Sequence, residues 1–159
     1  MRPEVIPVKM GEIGFSRQGS LACYALGSCV VAILHDRGLG LGGVAHVVLP
    51  GAAPPEAPAP GRYAGQAIRR LIEGMVMRGA FLPRCRVYLV GGAQLLDIRY
   101  NGLSMGEQNI ASARSMLKAH GVMQELREDV GGARGRTVCL EVATGQVTVG
   151  RAGQAPEVL

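Results

Sequence analysis

Two apolar runs, at residues 30–34 (VVAIL) and 44–49 (VAHVVL), constrain the fold most strongly because they lie so close together in the chain. The segment between them, residues 36–40 (DRGLG), contains two glycines of the kind that form tight connections between strands. Short continuous apolar runs bounded by turn residues are typical of strands buried on both faces. The sequence therefore predicts a buried hairpin.

Further elements follow from hydrophobic periodicity. Apolar residues at helical spacing predict helices at residues 62–78 and 106–120, which Gly79 and Gly121 end. Shorter apolar segments predict additional strands at residues 5–8, 21–26, 86–90, 122–130, 136–143 and 147–150. Glycine, serine and proline predict irregular structure at residues 11–20, 52–60 and 97–105, of which 52–60 is expected to be a mobile surface loop, and the last residues are expected to fray.

The order of these elements along the chain predicts the fold class. It is neither cleanly alternating nor cleanly segregated, so we expect an α/β (α+β) protein with mixed β-sheets packed as a sandwich and helices on the outer face. Hydrophobic residues make up 48% of the 159 residues, which excludes a disordered chain and allows a substantial core. No repeat or linker divides the chain, so residues 1–159 are expected to form a single domain.

Charge and cysteine content narrow the possible partners and location. The formal net charge of +5 favours acidic partners, but no basic run or known motif indicates nucleic acid, and an acidic protein surface fits as well. The N-terminus lacks the features of a signal peptide, and no apolar stretch reaches the length of a membrane span. The four cysteines form no CxxC pair, which favours unpaired thiols in a cytoplasmic protein without membrane insertion.

The turn that precedes the first apolar run can supply a nucleophile. Gly27 and Ser28 deliver Cys29 at the start of a buried strand, and His46 lies in the second run. A cysteine hydrolase needs a thiolate, a base and backbone N–H donors for the oxyanion, and small residues at 27 and 28 would let a substrate carbonyl approach. A neighbouring imidazolium would lower the pKa of the thiol.

Other interpretations of these side chains remain open at this point. Cysteine usually behaves as a small buried hydrophobe, and a single histidine in an apolar run is usually a hydrogen-bonded core residue. A zinc site made by Cys23, Cys29 and His46 would need a fourth ligand and lacks the usual closely spaced ligand pairs. Structural roles are favoured more strongly for the other cysteines and histidines: Cys23, Cys85, Cys139, His35 and His120.

Several sequence blocks match the signatures of a known protein family. Residues 26–30 (LGSCV) and 43–50 (GVAHVVLP) closely resemble the LGSCV and GGxAHxxLP signatures of the CheD family of chemoreceptor glutamine deamidases. Further matches follow in order at residues 63–64 (YA), 91–93 (GGA), 106–109 (GEQN), 129–132 (DVGG), 135–136 (GR) and 144–145 (TG). The resemblance covers nearly the whole chain.

The resemblance implies a cysteine hydrolase that converts receptor glutamines to glutamates and also hydrolyses glutamyl methyl esters. It implies a sandwich fold like that of the deamidating cytotoxic necrotizing toxins, with Cys29 as nucleophile, His46 as catalytic histidine and no metal or organic cofactor. The implied partners are chemoreceptor cytoplasmic helices, as substrate, and a CheC-type phosphatase. The alternative function is a non-catalytic or weakly catalytic regulator of such a phosphatase.

Two positions depart from the family's pattern. The third catalytic position, a threonine in the family, is Cys23 in this chain, and Gln108 replaces a common arginine. A thiol is a poor substitute for a hydroxyl in orienting an imidazole. We therefore expect the backbone carbonyl of Cys23 to accept the imidazole N–H, so that the Cys23 side chain is incidental.

Overall fold

The computed structural model describes residues 3–159 and contains two five-stranded sheets, a two-stranded ribbon and two α-helices. The strands are β1 (Val5–Pro7), β2 (Ile13–Ser16), β3 (Ser20–Leu26), β4 (Val30–Asp36), β5 (Leu41–Val47), β6 (Arg86–Gly91), β7 (Arg99–Tyr100), β8 (Leu103–Ser104), β9 (Arg127–Val130), β10 (Arg136–Glu141), β11 (Gln146–Gly150) and β12 (Glu157–Val158). The helices are α1 (Ala64–Met77) and α2 (Met105–Ala119).

The strands form two mixed sheets. The first sheet has the order β1-β3-β10-β11-β12, and the second has the order β2-β5-β4-β6-β9. Each contains one parallel pair, β1 with β3 and β6 with β9, among antiparallel neighbours. The predicted hairpin is confirmed, because β4 and β5 pair antiparallel from Val30 opposite Val47 to Asp36 opposite Leu41.

Two apolar cores stack these elements into three layers. An inter-sheet core, which includes Val31, Ile33, Val44 and Leu140, fills the space between the sheets. A helix-side core, which includes Ala32, Leu71 and Leu117, packs α1 and α2 against the other face of the second sheet. Because β4 and β5 have an apolar layer on each side, their continuous apolar sequences are explained. The expected sandwich with helices on its outer face is confirmed.

Four local predictions are wrong, because in each segment the backbone forms hydrogen bonds that the residue pattern did not indicate. Residues 11–20 contain strand β2, in which Gly14 lies so close to Val8 that a Cβ would come within 2.8 Å of it. Residues 97–105 contain the short β7–β8 ribbon. Only the end of 122–130 is a strand, since the N–H of Val122 bonds the Leu117 carbonyl and completes α2. The chain end pairs as β12 with β11.

The proline-rich segment at residues 52–60 is irregular, as predicted, and its beginning is attached to both helices. The N–H of Gly51 donates to Ser112 Oγ on α2 at 2.9 Å, and the N–H of Ala53 donates to Gln66 Oε1 on α1 at 2.8 Å. These bonds place the segment over the helix layer. Neither helix within residues 3–159 is long and apolar enough to cross a membrane.

Candidate active site

Cys29 lies where the chain passes from the first sheet to the second. Strand β3 ends at Leu26, residues 27–29 form a short loop, and β4 begins at Val30. The Cys29 side chain is half-buried and packs against the inter-sheet core, on the same face as Val31 and Ile33. The thiol therefore sits at the edge of the inter-sheet core with part of its surface exposed.

His46 faces the same core from the neighbouring strand. It lies directly opposite Val31 in the β4–β5 pairing, which makes it the diagonal neighbour of Cys29. Such diagonal neighbours lie roughly 7–8 Å apart, within reach of long and aromatic side chains. The predicted proximity of the Cys29 and His46 strands is confirmed, and it follows from the short connection between β4 and β5.

A backbone carbonyl orients the imidazole, but it belongs to Val8 and not to Cys23. His46 Nδ1 lies 2.9 Å from the Val8 carbonyl oxygen, and the ring is buried. Since a carbonyl only accepts, Nδ1 carries the proton and Nε2 presents a lone pair. The N–H of Val8 in turn donates to the Ala22 carbonyl on β3. The first sheet thus sets the tautomer of a histidine in the second sheet. The expectation that the Cys23 carbonyl accepts the imidazole N–H is wrong, because the acceptor is the Val8 carbonyl.

Cys23 is a buried neighbour of this arrangement. It points into the inter-sheet core from β3, one residue beyond the Ala22 that holds Val8. Burial raises the pKa of the Cys23 thiol to about 12, with smaller contributions from Cys29 and Cys139. Cys23 is therefore an uncharged thiol at neutral pH and cannot stabilise an imidazolium as an anion.

Burial also keeps the Cys29–His46 pair uncharged. It raises the pKa of Cys29 above its ordinary value, although the residue's own backbone N–H and the charge of Arg62 oppose the rise. It lowers the pKa of His46, although the Val8 hydrogen bond and the charge of Glu12 oppose the fall. The resting state is a thiol beside a neutral imidazole, so the pKa of Cys29 is not lowered by an imidazolium.

The backbone of the 27–29 loop is held entirely through its carbonyl oxygens. The Gly27 carbonyl accepts from the N–H of Ala93 at 2.9 Å, and the Cys29 carbonyl accepts from the N–H of Gly92 at 2.8 Å. The Ser28 carbonyl accepts from Asn109 Nδ2 at 2.9 Å. Within residues 3–159, the N–H groups of Ser28 and Cys29 donate to no other residue. Two backbone donors beside the thiol are therefore available to a bound oxyanion.

Sequence reasoning gave no role to Gly92, Ala93 and Asn109, although they lie in two of the matched blocks. Their partners are far away in the chain, so no local pattern places them at the loop. The available signal was Asn109 itself, a polar side chain one residue before the apolar face of the predicted helix at Ile110. A polar residue beside a buried helix face needs hydrogen-bond partners, and the structure shows them to be carbonyls of the site.

An apolar cavity of about 290 Å³ opens beside the loop. Ser28 and Ala93 form part of its wall, and most of the rest comes from Leu95, Leu96, Ile98 and Met105. Leu95 Cδ1 lies so close to Gly27 that a Cβ on this residue would meet it at 2.8 Å. A glycine at position 27 therefore lets the cavity wall close over the loop.

The comparisons with known proteins bear on the whole chain. A family model described as CheD chemotactic sensory transduction matches residues 48–151. A protein of Methanococcus vannielii is 36% identical over 97% of this chain and 99% of its own length. The chain belongs to the CheD family. Because that alignment spans nearly the entire chain, it includes the segments that carry Cys29 and His46, which precede the family-model match.

The relatives with curated names in the CheD family agree on one activity. The M. vannielii protein is named a probable chemoreceptor glutamine deamidase, as is a Methanococcus maripaludis protein that is 40% identical over 91% of this chain and 94% of its own length. A Thermotoga maritima protein, 33% identical over 92% of this chain and 91% of its own length, is named chemoreceptor glutamine deamidase.

The other cysteines and histidines of this CheD-family chain lie in structural settings. His35 Nε2 is buried 2.7 Å from the Val142 carbonyl oxygen, and Cys85 Sγ lies 3.6 Å from the Phe81 carbonyl oxygen. His120 ends α2, and Cys139 is half-buried in β10. In the part of the chain that the structure describes, no three His, Cys, Asp or Glu side chains are grouped as metal ligands.

Proposed function

We propose that this CheD-family protein is a cysteine hydrolase that deamidates specific glutamines of chemoreceptors. The observation that carries the proposal is the combination at the 27–29 loop. A half-exposed thiol there adjoins two uncommitted backbone N–H groups and is the diagonal neighbour of an imidazole whose Nε2 lone pair is available. Nucleophile, oxyanion donors and base are the three components that acyl transfer requires.

The reaction follows from the uncharged resting pair. Cys29 transfers its proton to His46 Nε2 as the sulfur attacks the side-chain carbonyl carbon of the substrate glutamine. The oxyanion is held by the N–H groups of Ser28 and Cys29. When this intermediate collapses, the imidazolium protonates the leaving nitrogen, so that ammonia departs and a thioester remains. His46 then takes a proton from water, the resulting hydroxide attacks the thioester, and glutamate is released as the Cys29 thiol re-forms.

The same steps apply to a glutamyl methyl ester. The leaving group is then methanol in place of ammonia, and the thioester and its hydrolysis are unchanged. His46 protonates the leaving oxygen in the same position. The proposed site therefore supports ester hydrolysis as a second activity, without a metal or an organic cofactor.

An exposed apolar rim beside the loop suits a helical protein substrate. We define the rim as Leu95, Leu96, Ile98, Tyr100, Leu103 and Met105, all of which are exposed. An exposed apolar cluster of this kind is typical of a protein-binding surface. The formal charge of +5 favours acidic partners, and the modification segments of receptor cytoplasmic helices are commonly acidic. The proposal places the protein in the cytoplasm, where these helices lie.

The rim also favours a second partner. A CheC-type phosphatase that bound the rim would cover the approach to Cys29, because Leu95 borders both the rim and the loop. Such a partner would restrain the deamidase by competing with receptor helices. The alternative function, a regulator of the phosphatase with little catalysis, would use the same surface and would not need Cys29.

Mass spectrometry of a receptor cytoplasmic fragment separates the two functions. Each conversion of a glutamine to a glutamate replaces NH₂ by OH and raises the mass of its peptide. We expect conversion by the wild-type protein and by the Cys139→Ala variant, which removes the other half-exposed cysteine, but not by Cys29→Ala. Conversion that persists in Cys29→Ala would contradict the cysteine mechanism, and no conversion by wild type would favour the regulator.

A further inference from the structure

Asn109 joins the two chain segments that carry the proposed catalytic pair. Its side chain is completely buried, and its Nδ2 donates to the Ser28 carbonyl at 2.9 Å and to the Val48 carbonyl at 3.0 Å. Ser28 precedes Cys29, and Val48 lies two residues beyond His46. Because both partners are acceptors, the amide nitrogen must face them. One amide group therefore holds the 27–29 loop at a fixed position relative to the His46 strand.

The bond to Ser28 also determines where the Cys29 N–H points. The Ser28 carbonyl and the Cys29 N–H belong to the same planar trans peptide and point in opposite directions. While Asn109 holds the carbonyl, the N–H faces away from α2. A rotation of this peptide would break the bond to Asn109 and turn a carbonyl toward the oxyanion position. The preceding peptide is held in the same way, through the Ala93 bond to Gly27.

The start of α2 is built to bring Asn109 to this position. Ser104 and Glu107 form a reciprocal capping box, in which the Glu107 N–H donates to Ser104 Oγ at 3.2 Å and the Ser104 N–H donates to Glu107 Oε2 at 3.1 Å. Gly106 approaches the turn at Gly92 so closely that a Cβ would lie 2.3 Å from the Gly92 carbonyl oxygen. The matched GEQN block thus packs α2 against the turn that supplies the other two donors.

The remaining polar atom of the Asn109 side chain has no hydrogen-bond partner in the described part of the chain. Its Oδ1 is buried and accepts no hydrogen bond from residues 3–159. A buried acceptor without a partner is unfavourable, but an apolar side chain that removed it would leave the Ser28 and Val48 carbonyls without this donor. Asparagine at this position is best explained by the two hydrogen-bond donors that it supplies.

We propose that Asn109 is a positioning residue, which orients the Cys29 N–H toward the oxyanion and fixes the 27–29 loop against the His46 strand. The inference rests on the proposed cysteine hydrolase function and adds to it a residue that does not touch the substrate. It separates two properties of the site, the reactivity of the thiol and the stabilisation of the oxyanion, because the bond to Ser28 orients the N–H that would hold the oxyanion and Asn109 makes no hydrogen bond to the thiol.

Two variants and two assays test this separation. Asn109→Ala removes both donors, and Asn109→Asp keeps the size of the side chain but can donate at most one hydrogen, when it is protonated. We expect kcat for deamidation of a receptor fragment to fall by roughly 10²-fold or more, as when an oxyanion donor is lost, with KM changed only a few-fold. Alkylation of Cys29 by iodoacetamide should keep its wild-type rate, because attack on a saturated carbon forms no oxyanion.

Gln124 provides a matched control. Its Nε2 donates to two carbonyls, those of Leu82 at 2.7 Å and Cys85 at 3.2 Å, beside the start of β6 and not at the 27–29 loop. Gln124→Ala should lower the unfolding temperature and leave kcat unchanged. A kcat within a few-fold of wild type in either folded Asn109 variant would overturn the inference. So would a parallel loss of alkylation and turnover, or loss of the fold in both variants, seen by circular dichroism.

Failure of the proposed function can be distinguished from failure of the Asn109 inference. If Cys29→Ala still deamidates, the cysteine mechanism itself fails, and the inference fails with it. If turnover requires Cys29 but survives Asn109→Ala, only the positioning role is wrong.

Discussion

The two ends of strand β4 carry polar groups in contrasting surroundings. Asp36 closes the strand at one end with its side chain fully buried, and it accepts from Arg84 at 2.6 and 2.9 Å, from the Phe81 N–H at 2.9 Å and from the Leu39 N–H at 3.3 Å. These donors hold the pKa of Asp36 at about 2, with the Arg84 hydrogen bond as the largest cause. Cys29, immediately before the other end, is half-exposed, and burial raises its pKa.

The difference lies in whether the donors near each group are already used. At Asp36, side-chain and backbone donors are all directed at the carboxylate, so its charge is stabilised before any ligand arrives. At Cys29, the N–H groups of Ser28 and Cys29 donate to no other residue within 3–159, and the thiol and imidazole remain uncharged. The Asp36 end therefore contributes to stability, and the proposed mechanism uses the unoccupied donors of the Cys29 end for a charge that forms only during reaction.

The largest effect is expected from His46→Ala. Loss of the base should lower the rate of deamidation of a receptor fragment by roughly 10²–10⁴-fold, the range of general acid–base catalysis. The rate should be measured well below the unfolding temperature, since the Val8 carbonyl loses its donor in this variant. A wild-type rate would make His46 a core residue.

Asp36→Ala should have the opposite effect to His46→Ala. It should cause a large loss of stability and leave turnover per folded molecule unchanged. The N–H groups of Phe81 and Leu39 lose their acceptor, which costs about 2–4 kcal/mol of unfolding free energy in urea titrations. The contribution of Asp36 depends on pH because its pKa is lowered by folding. It is fully present above the unfolded value of about 4 and is lost as the pH falls to about 2.

Asp36→Asn is the control for that pH dependence, since it cannot ionise. Its unfolding free energy should change less than that of wild type between about pH 4 and about pH 2. The carboxyl group of Asp36 in the wild-type protein titrates within this range. An equal acid loss in both proteins would show that other carboxylates dominate. Reduced turnover in folded Asp36→Ala would mean that the two ends of β4 are coupled.

The pH dependence of Cys29 reactivity tests the uncharged pair. Because burial raises the pKa of Cys29 above its ordinary value of 9.0, its alkylation rate should rise by about tenfold per pH unit and continue to rise beyond pH 9. Peptide mapping after timed exposure to iodoacetamide gives this rate for Cys29 alone. A plateau below neutral pH would instead indicate a preformed thiolate–imidazolium pair.

Substitutions at Cys23 should have the smallest effect. The Val8 carbonyl already fixes the imidazole, so Cys23→Thr and Cys23→Ser should stay within a few-fold of the wild-type rate. Threonine is nearly the size of cysteine and suits a strand, so the fold should be retained. A gain on the order of 10²-fold would mean that a hydroxyl is missing from the site.

The sequence predicted the parts of this site that depend on neighbouring segments. Cys29 and His46 lie on strands joined by a short connection, so their proximity follows from the hairpin alone. The Val8 carbonyl could not be predicted in this way, because it reaches His46 only after β1 has paired with β3 and the two sheets have packed together. Asn109 bonds residues 81 and 61 positions away, so its role depends on how α2 packs against the second sheet.

Local signals also failed where a glycine had a structural reason other than a turn. Gly14 suggested a loop, but a side chain at that position in β2 would collide with Val8. The glycine therefore permits close packing beside the carbonyl that orients His46. The same residue type thus gives a turn at Gly79, with φ of 95°, and a strand at Gly14, and only the packing distinguishes the two.

The central claim is that the Cys29 thiol carries the reaction. It is tested most directly by blocking this thiol to increasing extents and measuring the remaining activity. The protein is alkylated with iodoacetamide to increasing extents, and each sample is divided between peptide mapping and the deamidation assay. Cys23 and Cys85 are buried, so Cys29 and the half-buried Cys139 are the sites to resolve. The account predicts that activity falls in proportion to the unmodified fraction of Cys29 and reaches zero with it, whatever the state of Cys139. Full turnover by protein in which Cys29 is completely alkylated would contradict it.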